Sequence, residues 1–160
     1  MLFSMMSRAL MFGLILSATD SLATDETYRL KCPVGTRQSG DPQEGISCRK
    51  SDTASGRGVA HGPSVSFYAN GQKNSEGQYV DGFRSGSWIF YAQDGQVRSR
   101  VEFQAGNYHG RREEYFPNGK LHTVESYVNG KLDGLVKEFS SDGRLVKQSE
   151  YRDNREVAAK

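Results

Sequence analysis

From residue 61 to 154, short runs mixing β-branched and aromatic residues with polar ones are separated by glycine-containing breaks. Segments such as WIFYAQDGQVRSRVEF, residues 88–103, have the composition of half-buried strands. Asn-Gly or Asp-Gly between two such runs is the strongest short-range hairpin signal, and it predicts a type I′ turn with positive φ at both central residues. The runs therefore read as paired antiparallel strands.

The pattern repeats at a constant step of 24 residues, in rows that begin at His61, Ser85, His109 and Asp133. Gly62, Gly86, Gly110 and Gly134 share one column, and Phe67, Tyr91, Tyr115 and Phe139 form an aromatic column five residues on. The turn column holds Asn70-Gly71, Asp94-Gly95, Asn118-Gly119 and Asp142-Gly143. Tyr79, Phe103, Tyr127 and Tyr151 follow, and then Gly82, Gly106, Gly130 and Asn154. Eleven of the 18 glycines fall in three columns, which excludes chance. Gly106 to Gly110 spell Gly-x-x-x-Gly, a spacing that in an apolar helix marks a membrane dimer face. Its polar surroundings here make it a connection between hairpins.

The expected fold is all-β: an elongated antiparallel meander of four 24-residue hairpin repeats, at 61–84, 85–108, 109–132 and 133–154. Eight strands at ~4.8 Å spacing give a twisted ribbon roughly 35–40 Å long, with each aromatic column a ladder along it. Gly58-Val59-Ala60-His61-Gly62 reads as a half-repeat ahead of the first row. Residues 24–60 then form a small cap at one edge, and 155–160 a charged tail at the other.

Residues 1–23 place Arg8 before an apolar run from Ala9 to about Leu16, and Ser21-Leu22-Ala23 before a cut at Thr24. These are the parts of a secretory signal peptide, and the run is about half of the ~20 residues a membrane span needs. Export to a periplasmic or extracellular space gives Cys32 and Cys48, the two cysteines of the chain, the meaning of a disulfide that closes the cap.

Composition narrows the function. The formal charge is +2, with 21 basic and 19 acidic residues, and removing residues 1–23 leaves it unchanged. That balance, with no basic run longer than two, argues against nucleic-acid binding. Hydrophobic residues make up 36% of the chain, so burial must rest on its 17 aromatics.

With these columns in place, the rows resemble MORN repeats, specifically the bacterial MORN-variant type, with units of the form G-x-W-x-x-Y-x-x-[ND]-G followed by Y-x-x-G-x-x-x-G. GSWIFYAQDG at 86–95 carries the Trp; GRREEYFPNGKLHTVESYVNGKLDG and GPSVSFYANGQKNSEGQYVDG keep the glycine, aromatic and turn positions without it. Many bacterial members carry a YwqK-type antitoxin label, and MORN repeats elsewhere are linked to phospholipid binding and scaffolding. The resemblance implies an interaction module with no catalytic residues or cofactor to carry over.

The residues themselves agree. His61 and His109 precede the first glycine column, where Ser85 and Asp133 stand in the other rows, so they read as local hydrogen-bonders. His122 has no matching column, and no nucleophile elbow, phosphate loop or metalloprotease motif is present. Trp88 stands where other rows have Ser64, Arg112 and Val136, which makes it either a local plug or a binding hot spot. The candidate interaction surface is Trp88, Tyr91, Tyr115, Arg111 and Arg112. Gly62, Gly71, Gly86, Gly95, Gly110, Gly119, Gly134 and Gly143 are structural. The expected activity is binding of an unidentified protein, as an envelope scaffold or an immunity-like partner of a toxin, with phospholipid-surface binding as the alternative.

Overall fold

The computed structural model describes residues 28–43, 45–51 and 58–157, so the expected signal peptide lies outside the described residues. All regular structure among them is strand: β1 (Thr36–Asp41), β2 (Gly45–Lys50), β3 (Val59–Phe67), β4 (Lys73–Val80), β5 (Phe83–Tyr91), β6 (Val97–Gln104), β7 (Asn107–Tyr115), β8 (Leu121–Val128), β9 (Lys131–Leu132), β10 (Gly134–Phe139), β11 (Leu145–Arg152) and β12 (Arg155–Val157). They form one antiparallel sheet in chain order, with β9 pairing to β8 ahead of β10. The four rows supply β3–β4, β5–β6, β7–β8 and β9/β10–β11, which is the expected meander.

The sheet extends beyond the rows at both ends. β1 and β2 form a hairpin that pairs with β3, so the segment read as a cap contributes two strands. Of the residues read as a half-repeat, Val59 to Gly62 belong to β3 itself, and Arg155–Val157 of the expected tail pair with β11.

The two glycine turns are the reverse of the expectation. At the Asn/Asp-Gly column only the glycine has positive φ: Gly71 81°, Gly95 85°, Gly119 77° and Gly143 94°. Gly71 N–H donates to the Tyr68 carbonyl at 2.9 Å and Tyr68 N–H to the Gln72 carbonyl at 2.8 Å, with the same pair of bonds in every row. These are three-residue loops, a type I turn followed by a left-handed glycine. Asn and Asp serve equally because the side chain accepts from the amide two residues on, as Asn118 Oδ1 does from Lys120 at 3.0 Å and Asp94 Oδ1 from Gln96 at 2.9 Å. The type I′ turns sit in the looser column, where Asp81, Ala105, Asn129 and Asp153 have φ near +48° and Gly82, Gly106, Gly130 and Asn154 follow at positive φ. There the last turn residue bonds back one row: Gly82 to the Ala60 carbonyl, Gly106 to Arg84, Gly130 to Tyr108 and Asn154 to Leu132, all at 2.8–2.9 Å.

Between rows the register slips at the first glycine column. Glu76 faces Ile89 while Gln78 faces Ser85, so two steps along β4 match four along β5. The slack is a bulge around Gly86, and Gly110 and Gly62 mark its counterparts. The bulge carries Trp88 across Gly77, where the core forms: Trp88, Val101 and Phe103 are buried, with Tyr79 and Phe90 packed against them. Aromatic contacts run on along this face from Tyr79 to Trp88 (5.1 Å), Phe103 (6.3 Å), Tyr108 (5.1 Å) and Tyr127 (5.2 Å), each edge to face. One expected ladder is thus a chain of rings, completed by residues outside its column.

The Cys32–Cys48 disulfide forms, with Cα atoms 5.4 Å apart and Cys48 fully buried. It ties residues 28–33 over the opposite face of the first strands, where Tyr28 packs on Phe67 at 5.3 Å and Gln38 bonds Leu30 N–H and the Tyr28 carbonyl. Pro33 closes over the backbone of Gly62, leaving no space for a Cβ there.

A candidate interaction surface

Strand alternation divides the five candidate residues between two faces. Trp88 and Arg112 share the buried-core face, while Tyr91, Tyr115 and Arg111 lie on the other, so they make no single patch.

Trp88 is 2% exposed. Its Nε1 donates to the Gln78 carbonyl at 3.0 Å, and Arg84 stacks above it with the guanidinium carbon 4.6 Å from the ring centre. The ring fills the sheet's own core, the plug of the two readings. Arg112 holds the same column one row on, half-buried, and bonds Glu114 and Glu125. Burial works against its charge, but the two carboxylates outweigh that and hold it protonated above its ordinary value. Tyr127 Oη adds a 3.1 Å bond to Glu125.

The opposite face presents a rank of cross-strand neighbours: Val65, Glu76, Ile89, Arg100, Glu113, Val124, Lys137 and Gln148, one from each of β3 to β8, β10 and β11. Apolar, negative and positive groups follow one another along it. Tyr91 Oη donates to Glu76, and Tyr115 Oη to Glu113 at 2.5 Å. Lys73 Nζ reaches Glu76 at 2.8 Å and Arg111 Nε reaches Glu113 at 2.8 Å. Burial, then the bond to the neighbouring carboxylate, raises both tyrosine hydroxyls above their ordinary pKa, so they stay neutral donors. The two tyrosines of this aromatic column are therefore held by hydroxyl–carboxylate bonds.

The histidines are occupied structurally. Asp81 N–H points to His61 Nδ1 at 3.3 Å and Asn129 N–H to His109 Nδ1 at 3.4 Å, while Asp133 Oδ2 accepts from Asp153 N–H at 3.3 Å. All three brace the type I′ turn 20 residues ahead. His122 packs on Phe116 at 4.2 Å. No group of three or more His, Cys, Asp or Glu among the described residues is arranged to hold a metal.

Reading by columns passed over Arg84, Glu76 and Arg100. Arg84 was visible in principle, because its column reads Ala60, Arg84, Tyr108, Leu132, placing a cation where the next row has a ring. Glu76 and Arg100 required the register, which the bulges set.

Residues 60–81, 108–129 and 132–153 match the family model described as the MORN repeat variant. The matched stretches make up less than half of the chain, and the row that carries Trp88 is not among them. Among solved structures the chain is similar to the Glycosylation Associate Protein (Gap123) complex from Streptococcus agalactiae, at 17% identity and a TM-score of 0.40 over 69% of this chain and 20% of that one. It thus spans about a fifth of the length of that chain. No curated protein gives a match.

Proposed function

We propose that this chain, with MORN-variant repeats as its framework, is an exported, non-enzymatic protein that binds a protein partner through the Tyr91–Tyr115 face of its sheet. The carrying observation is the rank from Glu76 to Lys137, in which the half-buried Ile89 and Val124 stand among charged side chains and are flanked by Tyr91 and Tyr115. Tyr and Arg are the residues that most often anchor protein interfaces. The leader-like sequence at 1–23 and the disulfide support export to an oxidising compartment. An envelope scaffold and an immunity-like partner of a toxin both fit this reading.

The test is capture from envelope extract under mild crosslinking, comparing the wild type with Tyr91→Ala/Tyr115→Ala and with Val128→Ala on the turn edge. Loss of a discrete partner in the double variant alone supports the reading. Equal capture by all three, or none by the wild type, overturns it.

The exposed turn edge favours one second reading. Val80 (46%), Phe83 (58%) and Val128 (45%) project there, with Lys131 and Arg152 further along. Apolar tips beside cations suit an anionic membrane surface. Salt-sensitive flotation with anionic liposomes that fails in Phe83→Ser would establish it, and protein remaining wholly in the aqueous fraction would exclude it.

A further inference from the structure

The first row leaves a space on the Trp88 face that the second row fills. Where row two has Trp88, Phe90 and Val101, row one has Ser64, Ser66 and Gly77. The result is a groove of about 590 Å³, within the range of small-molecule sites, lined among others by Ser47, Ser64, Ser66, Ser75, Arg49 and Arg84.

Its polar groups point to an anion. Arg84 lies over the rings of Trp88, Phe90 and Phe103 at 4.6–5.5 Å and forms no ion pair among the described residues. Stacking occupies the guanidinium face and leaves its N–H edges for a planar or tetrahedral oxyanion. Arg49 spends Nε and Nη2 on the Gly58 carbonyl, at 3.2 and 3.1 Å, which leaves Nη1. Ser66 and Ser75 share one 2.8 Å bond, and Ser66 Oγ has Asn74 Oδ1 as a second, longer acceptor at 3.5 Å that an incoming oxyanion would replace. The strands beneath, β2 to β5, are paired on both sides, so a ligand here is read by side chains and cannot add as a strand.

We propose that this groove binds a compact oxyanion ligand, a carboxylate or phosphate, with Arg84 as its principal contact and Arg49 and the serine hydroxyls completing the site. It lies on the face opposite the protein-binding surface proposed above and stands independently of it.

Trp88 is the sole tryptophan, directly beneath Arg84, so its fluorescence reports occupancy. The full chain is titrated with inorganic phosphate and, separately, citrate at constant ionic strength, with the arginine Nε resonances followed by NMR. A saturable response in either arm is expected, weakened about tenfold in Arg84→Gln by loss of a charge-assisted bond, and also lost in Ser64→Leu, which fills the groove. Arg144→Gln, far along the sheet, leaves it unchanged, and the stronger arm identifies the oxyanion. A non-saturating response, or one equal in wild type, Arg84→Gln and Ser64→Leu, overturns the proposal. Should Arg84→Gln lose its near-UV dichroism, Ser64→Leu and the wild-type Arg84 Nε shift decide.

Discussion

The indole of Trp88 lies against the bare backbone of Gly77 on the neighbouring strand: a Cβ built at Gly77 falls 2.3 Å from the ring. Gly77→Ala must push the indole out of its place and costs about 1–3 kcal/mol, as overpacking does. Trp88→Ala empties the site at about 3–5 kcal/mol. With the ring gone the added methyl has room, so the double variant is expected to be markedly less destabilised than the sum. Urea unfolding of the three proteins tests the coupling.

Gly119 presents the other kind of glycine. A Cβ there meets nothing within 4 Å, but φ is +77°. Gly119→Ala should cost about 1–2 kcal/mol from backbone strain alone. Ala105 carries that strain natively, at φ +47°, so Ala105→Gly should raise stability by up to about 1 kcal/mol. Thermal unfolding of both variants shows whether the signs are opposite.

The turns of the first and third rows reach the next row by a side-chain amide: Asn70 Nδ2 donates to the Gln93 carbonyl at 2.9 Å and Asn118 Nδ2 to Ser141 at 2.8 Å. Aspartate has no proton to give. Asn118→Asp is expected to keep its own turn, lose the bridge and cost about 0.5–1.5 kcal/mol, seen as faster amide exchange around Ser141.

Acid should act through Glu76. Burial pushes its carboxyl upward, but bonds from Lys73 and Tyr91 outweigh this and hold it below the ordinary value of 4.5. A carboxyl depressed in the folded state contributes stability that is complete above 4.5 and is lost as pH falls through the folded value. The Tm should therefore drop in that acid window, and Glu76→Gln should flatten the drop. The partner behaves oppositely: bonding to Glu76 raises Lys73 above 10.5, so its contribution holds below 10.5 and goes as pH rises through the folded value.

Reducing the Cys32–Cys48 bridge should release residues 28–33 first, and the chain-entropy model gives ~3 kcal/mol for a loop of this length. Because Cys48 is fully buried, the reduction rate under native conditions should follow local opening, which is measurable by thiol trapping.

The period, the strand pairs and the disulfide were legible because each is written in residue identity at a fixed spacing. The turn types were not. Asn118-Gly119 and Asn129-Gly130 are the same dipeptide, yet one is a three-residue loop and the other a type I′ turn. The number of residues left between the paired strands decides which, and that number depends on the bulges. The same bulges placed Trp88 over Gly77. The alternation of the pleat separates neighbours in sequence, and so five candidates chosen by residue type could not be sorted onto faces. β1 and β2 were hidden because TRQSGD and GISCRK carry little apolar signal and are held by the bridge and by β3.

Each type I′ turn closes on a carbonyl one row back, from Gly82 to Ala60 through to Asn154 and Leu132. A whole row can therefore be removed or duplicated and every such bond re-formed with the row that takes its place. If residues 85–108 were excised, Gly130 would find the Arg84 carbonyl where it now finds that of Tyr108. Length in this protein is thus a setting that recombination can move in steps of ~9–10 Å, and the chain can serve as a ruler.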